Sequence, residues 1–377
     1  MLLRASDEFR AGASDDHPGF YVGSTLYVAD VGEHLPVGAD GSLEGYAGRI
    51  ASRVPGGRFA VIAENLHVHD AEVWMRIRDF LHGLFEVVGI PGPRSKTAFF
   101  FGNYASTPLG LHAGGANVFK FVLSGRKRMR LWPDEALRHE GVESSSRYAP
   151  YLDRSIVLEG GPGDVCYWPA RYWHIGESVD GGLVASLSVN LFDEGDLLEP
   201  AELSAAVEEH GGLSGRPAFP VRPSELRRAA RSVTRIAAAA AGSMRAAAGR
   251  GGALRSRLEL RLLNRLSADG FARVPPPLPP ERLDDARVVT AEARRPILWR
   301  TRGGELVASA NGHGFSGPAH PGLVALLERL SRGGVHRVGD LVAAHSATAR
   351  VGDAEVEAAP EDVRALLEKL VSLRALR

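Results

Sequence analysis

The sequence predicts a mainly β protein with added helices: a β-sandwich or barrel, then a helical segment, then a small module of winged-helix type. Three observations predict this. From Thr97 to Phe192, short apolar runs (TAFFFGNY, NVFKFVLSG, RMRLW, SIVLEGGPGD, VCYWP, LVASLSVNLF) are separated by Gly and Pro, and many short strands at such spacing build sandwiches and barrels. Ser224 to Ala248 is rich in Ala, Arg and Leu, and Leu254 to Leu266 repeats apolar residues at helical spacing. Beyond the proline stretch Pro275 to Pro280, three segments (Pro321 to Ser331, Val338 to Ala344, Pro360 to Leu373) carry helical spacing, with a strand pair beside them. The expected domains are 1–197, 198–268 and 269–377.

In chain order, Ala71 to Val88 reads as a helix with Asp70 as its N-cap. In the strand Asn117 to Leu123, period-two alternation puts Asn117, Phe119, Phe121 and Leu123 on one face. Ser124-Gly125-Arg126 reads as a tight turn that reverses the chain into a return strand, Lys127 to Trp132, as a hairpin. Gly163-Asp164 is a second hairpin-type signal. It leads into the strand Val165 to Trp168, which Pro169-Ala170-Arg171 turns toward a further strand starting at His174.

Bulk properties narrow the function. The 377 residues suit two or three domains, and 44% hydrophobic content supports a sizeable core. Lys+Arg and Asp+Glu are equal at 45 each, so nothing global points to a polyanionic partner. The arginines Arg227, Arg228, Arg231 and Arg235 read as a solvated helix face, and the C-terminal zone shows no dense basic face, so nucleic acid is not the expected partner. Helices this poor in aromatics often pack on a partner, which predicts a homodimer through the 198–268 segment. A single cysteine, Cys166, excludes an intramolecular disulfide and fits a reducing compartment. The start MLLRASDEFRAG has no apolar signal region, and the Ala237 to Ala241 run is too short to span a membrane. A cytoplasmic protein is expected. No P-loop, dinucleotide fingerprint or Gly-x-Ser-x-Gly elbow is present.

The stretch Asn103 to Asn190 carries the chemistry. His112 ends the glycine-rich approach TPLGLHAGGANVFKF, and His174 lies about sixty residues on; each sits at a strand edge near a turn and could converge on the other inside a barrel. Iron(II) oxygenases commonly use two histidines and a carboxylate on one face of the metal. A co-substrate acid such as 2-oxoglutarate needs a buried cation for its far carboxylate, which Lys127 could supply. Asn117 reads equally as a group that bonds the co-substrate or a water, or as a polar strand start. His67-Val68-His69-Asp70 and His313 to His320 resemble metal clusters, but the first leads into a helix and the second lacks a cysteine or carboxylate set.

With these residues in view, 97–192 resembles the JmjC/cupin 2-oxoglutarate oxygenases, most of all their ribosomal-protein hydroxylase branch. The family pattern is His-x-Asp, an apolar strand, Gly-x-Lys, then a distal His after Pro-x-x-Trp-x-His. Here it is met by His112-Ala113-Gly114, Val118-Phe119, Gly125-Arg126-Lys127 and Pro169-Ala170-Arg171-Tyr172-Trp173-His174. SLSVNLF at 186–192 looks like the family's last strand, and the order cupin, helical dimerisation segment, winged helix is similar over most of the chain. The resemblance implies a double-stranded β-helix (jelly-roll) fold and Fe(II) held by His112 and His174. It also implies 2-oxoglutarate on Lys127, with Asn103, Tyr104 and Asn190 near the co-substrate, and hydroxylation of a protein, peptide or small-molecule substrate.

One departure decides how far this carries. Gly114 stands where the family has its metal-binding Asp. Water could fill the gap, as in hydroxylases that hold iron by two histidines. Chloride could fill it, as in radical halogenases; another carboxylate, Glu177 or Asp164, could step in; or metal binding is lost and the cupin is a non-catalytic binding scaffold. A smaller departure is Met129, where the branch tends to show Trp.

Overall fold

The computed structural model describes residues 1–13, 18–27, 30–91, 94–138, 142, 147–192, 253–351 and 354–377. The chain divides into two compact units, Met1–Gly195 with Asp269–Pro276, and Asp196–Ala268 with Pro277–Arg377. Of the 198–268 segment only the part from Ala253 is described, as the helix Ala253–Ser267; the arginines at 227, 228, 231 and 235 and the rest of the expected dimerisation segment lie outside the described residues.

In the first unit eleven strands are described: β1 Gly19–Val22, β2 Thr25–Tyr27, β3 Ala60–Glu64, β4 Arg94–Gly102, β5 His112–Ala113, β6 Asn117–Ser124, β7 Lys127–Trp132, β8 Ile156–Gly160, β9 Val165–Trp168, β10 Trp173–Ser178 and β11 Val184–Phe192. They form two antiparallel sheets, β2-β1-β3-β4-β11-β6-β9 and β5-β10-β7-β8. From β4 onward every step but β7 to β8, which stay paired in the smaller sheet, carries the chain from one sheet to the other, the winding of a double-stranded β-helix. The fold is therefore mainly β with α, of cupin type.

That winding corrects the hairpin readings. Ser124-Gly125-Arg126 joins β6 of one sheet to β7 of the other, and Gly163-Asp164 likewise joins β8 to β9, so neither pair is a hairpin. A sharp reversal has the same local chemistry whether its strands pair or part; long-range partners decide. Gly125 has φ +70, and a Cβ there would fall 2.0 Å from the Leu183 carbonyl oxygen, so this corner requires glycine.

The larger sheet is covered on both faces. On β6, Val118, Lys120 and Val122 are buried, while the opposite set includes Phe119 and Phe121, whose rings meet Phe80 at 5.7 and 5.0 Å. Phe80 belongs to the helix Ala71–Val88, which starts as expected: the Asp70 carboxylate accepts the backbone N–H groups of Glu72 and Val73.

In the second unit the helices Pro321–Ser331, Val338–His345 and Pro360–Ser372 appear where helical spacing predicted them, with a β-hairpin, Ala347–Val351 and Ala354–Ala358, before the last. The sequence reading passed over a three-stranded meander, Ile297–Arg302, Glu305–Ala310 and His313–Pro318, and the pair Val288–Ala291 with Gly334–Arg337. The meander's turns, Gly303-Gly304 and Asn311-Gly312, hold positive φ at both central residues, as two-residue hairpins require.

Candidate active site

His112 and His174 are direct cross-strand partners in the β5–β10 ladder. Their ring centroids are 4.3 Å apart. His112 Nδ1 lies 2.9 Å from the Gly110 carbonyl oxygen and His174 Nδ1 3.1 Å from that of Tyr172. A carbonyl only accepts, so each Nδ1 carries the proton and each Nε2 keeps its lone pair, the form in which imidazole binds a metal. The Trp168 ring lies against His174 at 5.1 Å. Burial foremost, with the neighbouring His112 adding to it, pushes the His174 pKa down to about 3, so this ring is neutral at physiological pH.

Position 114 faces the pair. A Cβ built on Gly114 would lie 3.3 Å from Cε1 of His174, so a side chain here would start out toward the imidazoles, and glycine leaves that direction without a carboxylate. Neither alternative carboxylate takes its place. Glu177 bonds Arg130 at 2.8 Å, Tyr148 at 2.8 Å and Arg128 at 3.3 Å, and Asp164 accepts the Gly161 N–H at 2.8 Å within its turn. Among the described residues no group of three or more His, Cys, Asp or Glu side chains is placed to hold a metal. The donor set that fits a metal here is two imidazoles, with the remaining positions left to small molecules.

Lys127 is 1% exposed. Its Nζ donates to Tyr104 Oη at 2.7 Å and would be met at 2.8 Å by a Cβ on Gly176, so glycine at 176 makes room for the ammonium. Burial, then the charge of Lys120, holds its pKa well below the ordinary lysine value, against an opposing pull from Glu177. Lys120, which the sequence reading missed, is a second buried ammonium, 3% exposed, with Nζ 3.7 Å from the Phe100 ring centroid. Burial pushes its pKa down to about 7.

The remaining expected residues separate. Tyr104 stands with Lys127. Asn190 lies on the inward register of β11, opposite Val118 of β6. Asn103 has structural bonds: its Oδ1 accepts the Phe59 N–H at 3.0 Å and its Nδ2 donates to the Gly57 carbonyl at 2.8 Å. Asn117 is on the outward register of β6, where its Oδ1 accepts from Tyr167 Oη and the Ala170 N–H, each at 3.3 Å. Of the two motif-like histidine runs, His67 is buried with both nitrogens engaged, by Thr97 Oγ1 and the Arg273 carbonyl, each at 2.8 Å. His320 caps a helix by accepting the Gly322 N–H.

The chain matches no family profile and no curated protein. Solved structures similar to it include two of YcfD, a ribosomal oxygenase from Escherichia coli. The one in complex with cobalt and succinic acid is 16% identical, with 85% of this chain and 78% of that chain covered and a TM-score of 0.42. The one with cobalt and 2-oxoglutarate is also 16% identical over the same shares, with a TM-score of 0.41. A cupin superfamily protein from Desulfitobacterium hafniense is 17% identical over 26% of this chain and 69% of that chain, with a TM-score of 0.17. At this distance the chemistry has to be read from the residues of the site.

Proposed function

We propose that the barrel is an Fe(II)- and 2-oxoglutarate-dependent oxygenase centre that hydroxylates a C–H bond of a protein, peptide or metabolite. The observation that supports it most is the His112–His174 pair, both rings fixed through Nδ1 with Nε2 left to bind, in the same barrel as the buried Lys127. Bound iron and 2-oxoglutarate would supply the oxidising chemistry. His112 and His174 would hold the metal. Their backbone hydrogen bonds fix tautomer and ring orientation before it arrives. Lys127, steadied by Tyr104, would receive the far carboxylate of 2-oxoglutarate through a charge-assisted hydrogen bond, and that anion would restore the charge that burial disfavours. Val118, Met129, Leu131 and Trp168, which cluster in the interior, would limit the access of bulk water to the reacting groups. Gly114 leaves a ligand position for water. Chloride at that position would turn the outcome to halogenation, and hydroxylation is the reading retained.

A second reading has its own support. With Gly114 in place of a carboxylate and Lys120 adding a positive charge, the interior also suits a non-catalytic barrel that binds anions. Anaerobic titration with Fe(II) and then 2-oxoglutarate, followed by absorbance, separates the two. The oxygenase reading expects a charge-transfer band that is lost in His112→Ala and needs more 2-oxoglutarate in Lys127→Ala. It also expects Gly114→Asp to bind iron about 10–100-fold more tightly. No band and no bound iron would remove the oxygenase reading and leave the anion-binding one.

A further inference from the structure

Lys120 has no role in the oxygenase reading above. It lies on β6 with Ser188 of β11 and Cys166 of β9 as its cross-strand neighbours, on the face that also carries Val118, Val122, Phe100, Trp168 and Ser186. No hydrogen bond or ion pair joins its ammonium to any of the described residues; the Phe100 ring is its near neighbour. Two more donors on that face share this condition. Trp168 Nε1 and Ser186 Oγ are buried and form no hydrogen bond with any of the described residues. Buried polar groups are ordinarily satisfied, and each exception asks for a reason. All three can donate, and one of them carries a full charge when protonated; Glu64 of β3, a carboxylate that shares the face by register, is paired with Lys96 at 2.5 Å. Such a set has the wrong sign for a cation and the right sign for an anion.

We propose that Lys120, Trp168 Nε1 and Ser186 Oγ form a second anion subsite inside the barrel, which takes a carboxylate group while Lys127 takes another. The bound ligand is then a short dicarboxylate held at both ends, and its negative groups offset the charge of the two ammonium groups. This deepens the reading of Lys127 given above but does not require the metal. Lys120 is also among the charges that depress Lys127, so neutralising one ammonium favours the charged form of the other.

The test uses the full-length protein stripped of metal with EDTA, and its variants Lys120→Met, Trp168→Phe, Ser186→Ala and Lys127→Met. Titration calorimetry and thermal shift are run with succinate, acetate and inorganic phosphate as probes. Succinate binding is expected to weaken about 10–100-fold in Lys120→Met, and less in Trp168→Phe and Ser186→Ala. Because Met at 120 is apolar and close to lysine in length, the variant is expected to fold. Its unliganded melting temperature should rise while its stabilisation by succinate falls, a combination that misfolding would not produce. If acetate binds much more weakly than succinate, the subsite holds one end of a dicarboxylate. If both bind alike and both are lost in Lys120→Met, it holds a separate monocarboxylate and the subsite stands. Succinate affinity unchanged in Lys120→Met, or phosphate bound where neither carboxylate is, overturns the proposal. Since no metal is present, a chain that fails to bind iron but passes this test loses the oxygenase reading and keeps the subsite.

Discussion

The two compact units fill their interiors differently. The C-terminal unit is packed with aliphatic side chains, among them Leu326, Leu327, Leu330, Leu341, Leu367 and Leu370. Some buried polar groups there are bonded, Ser267 with Ser309, Asn311 with the Leu373 carbonyl and Ser372 with that of Leu278, while others, such as Asn264 Oδ1 and His345 Nε2, form no hydrogen bond with the described residues. Its buried cation Arg295 has a carboxylate beside it, Glu292 at 3.1 Å. The barrel buries Lys120, Lys127, Ser186 and Ser188, leaves Trp168 Nε1 and Ser186 Oγ without a hydrogen bond to the described residues, and sets two imidazoles side by side. An interior that serves stability alone has no use for two ammonium groups, because burying a charge without a counter-charge is costly. One interior is filled by aliphatic packing; the other carries ammonium groups for which the proposed ligand site would account.

Substitutions of opposite sign test that contrast. The largest effect is expected in the aliphatic interior. Leu326→Ala in the helix Pro321–Ser331 removes a fully buried side chain and should cost about 2–5 kcal/mol, read by equilibrium denaturation. A loss below about 1 kcal/mol would mean that interior is loosely filled. In the barrel the same experiment on Lys120→Met should show a gain of about 1–4 kcal/mol in the absence of ligand. A loss there would show that the ammonium is already compensated, and the contrast would collapse. Lys127→Met should gain about 1 kcal/mol less than Lys120→Met, because it leaves the buried Tyr104 hydroxyl without the ammonium that bonds it. Equal gains would mean that the Lys127–Tyr104 bond contributes nothing.

How much of this was legible in the sequence depended on whether the deciding contact is local. The helix Ala71–Val88 and its Asp70 cap were readable because cap, periodicity and the closing Gly89 lie within one stretch. His112, His174 and Lys127 were readable as a set through their motif spacing, but not the ladder that makes the histidines neighbours. That ladder forms only when distant strands pair. The corners at Gly125 and Gly163-Asp164 were misread for the same reason. Lys120 was missed because in NVFKFVLSG the aromatics Phe119 and Phe121 mark the obvious apolar face, and a lysine between them looks outward. In this fold the aromatic face lies under the helix carrying Phe80, and the barrel interior takes the other face. Val118 and Val122 flanking Lys120 were the available signal, since a strand apolar on both faces is buried on both. Asn311-Gly312 was a readable hairpin signal that went unused.

The smallest expected effect is a slope with pH, and it bears most directly on Lys120. In the unfolded chain Lys120 keeps its proton up to the ordinary lysine value of 10.5, whereas in the folded protein burial brings the pKa down to about 7. Between these values the unfolded state binds more protons, so stability rises with pH across that window and is flat below it. One such lysine contributes at most about 1.4 kcal/mol per pH unit. The groups whose charges bear on it are Cys166, Lys127 and His174. Lys127, depressed in the same direction, adds a slope of the same sign. His174 titrates near 3, outside the window. The Cys166 thiol, raised by burial, ionises only toward its upper end and then favours the charged lysine. The decisive quantity is therefore the difference in slope between the wild type and Lys120→Met, measured by denaturation at intervals from pH 7 to 9.5. A steeper rise in the wild type places an uncompensated ammonium in the barrel, while parallel slopes would mean that Lys120 keeps an ordinary pKa. A saturating dicarboxylate should then flatten the wild-type slope toward that of the variant, because a bound carboxylate supplies the counter-charge that raises the folded-state pKa back toward its unfolded value.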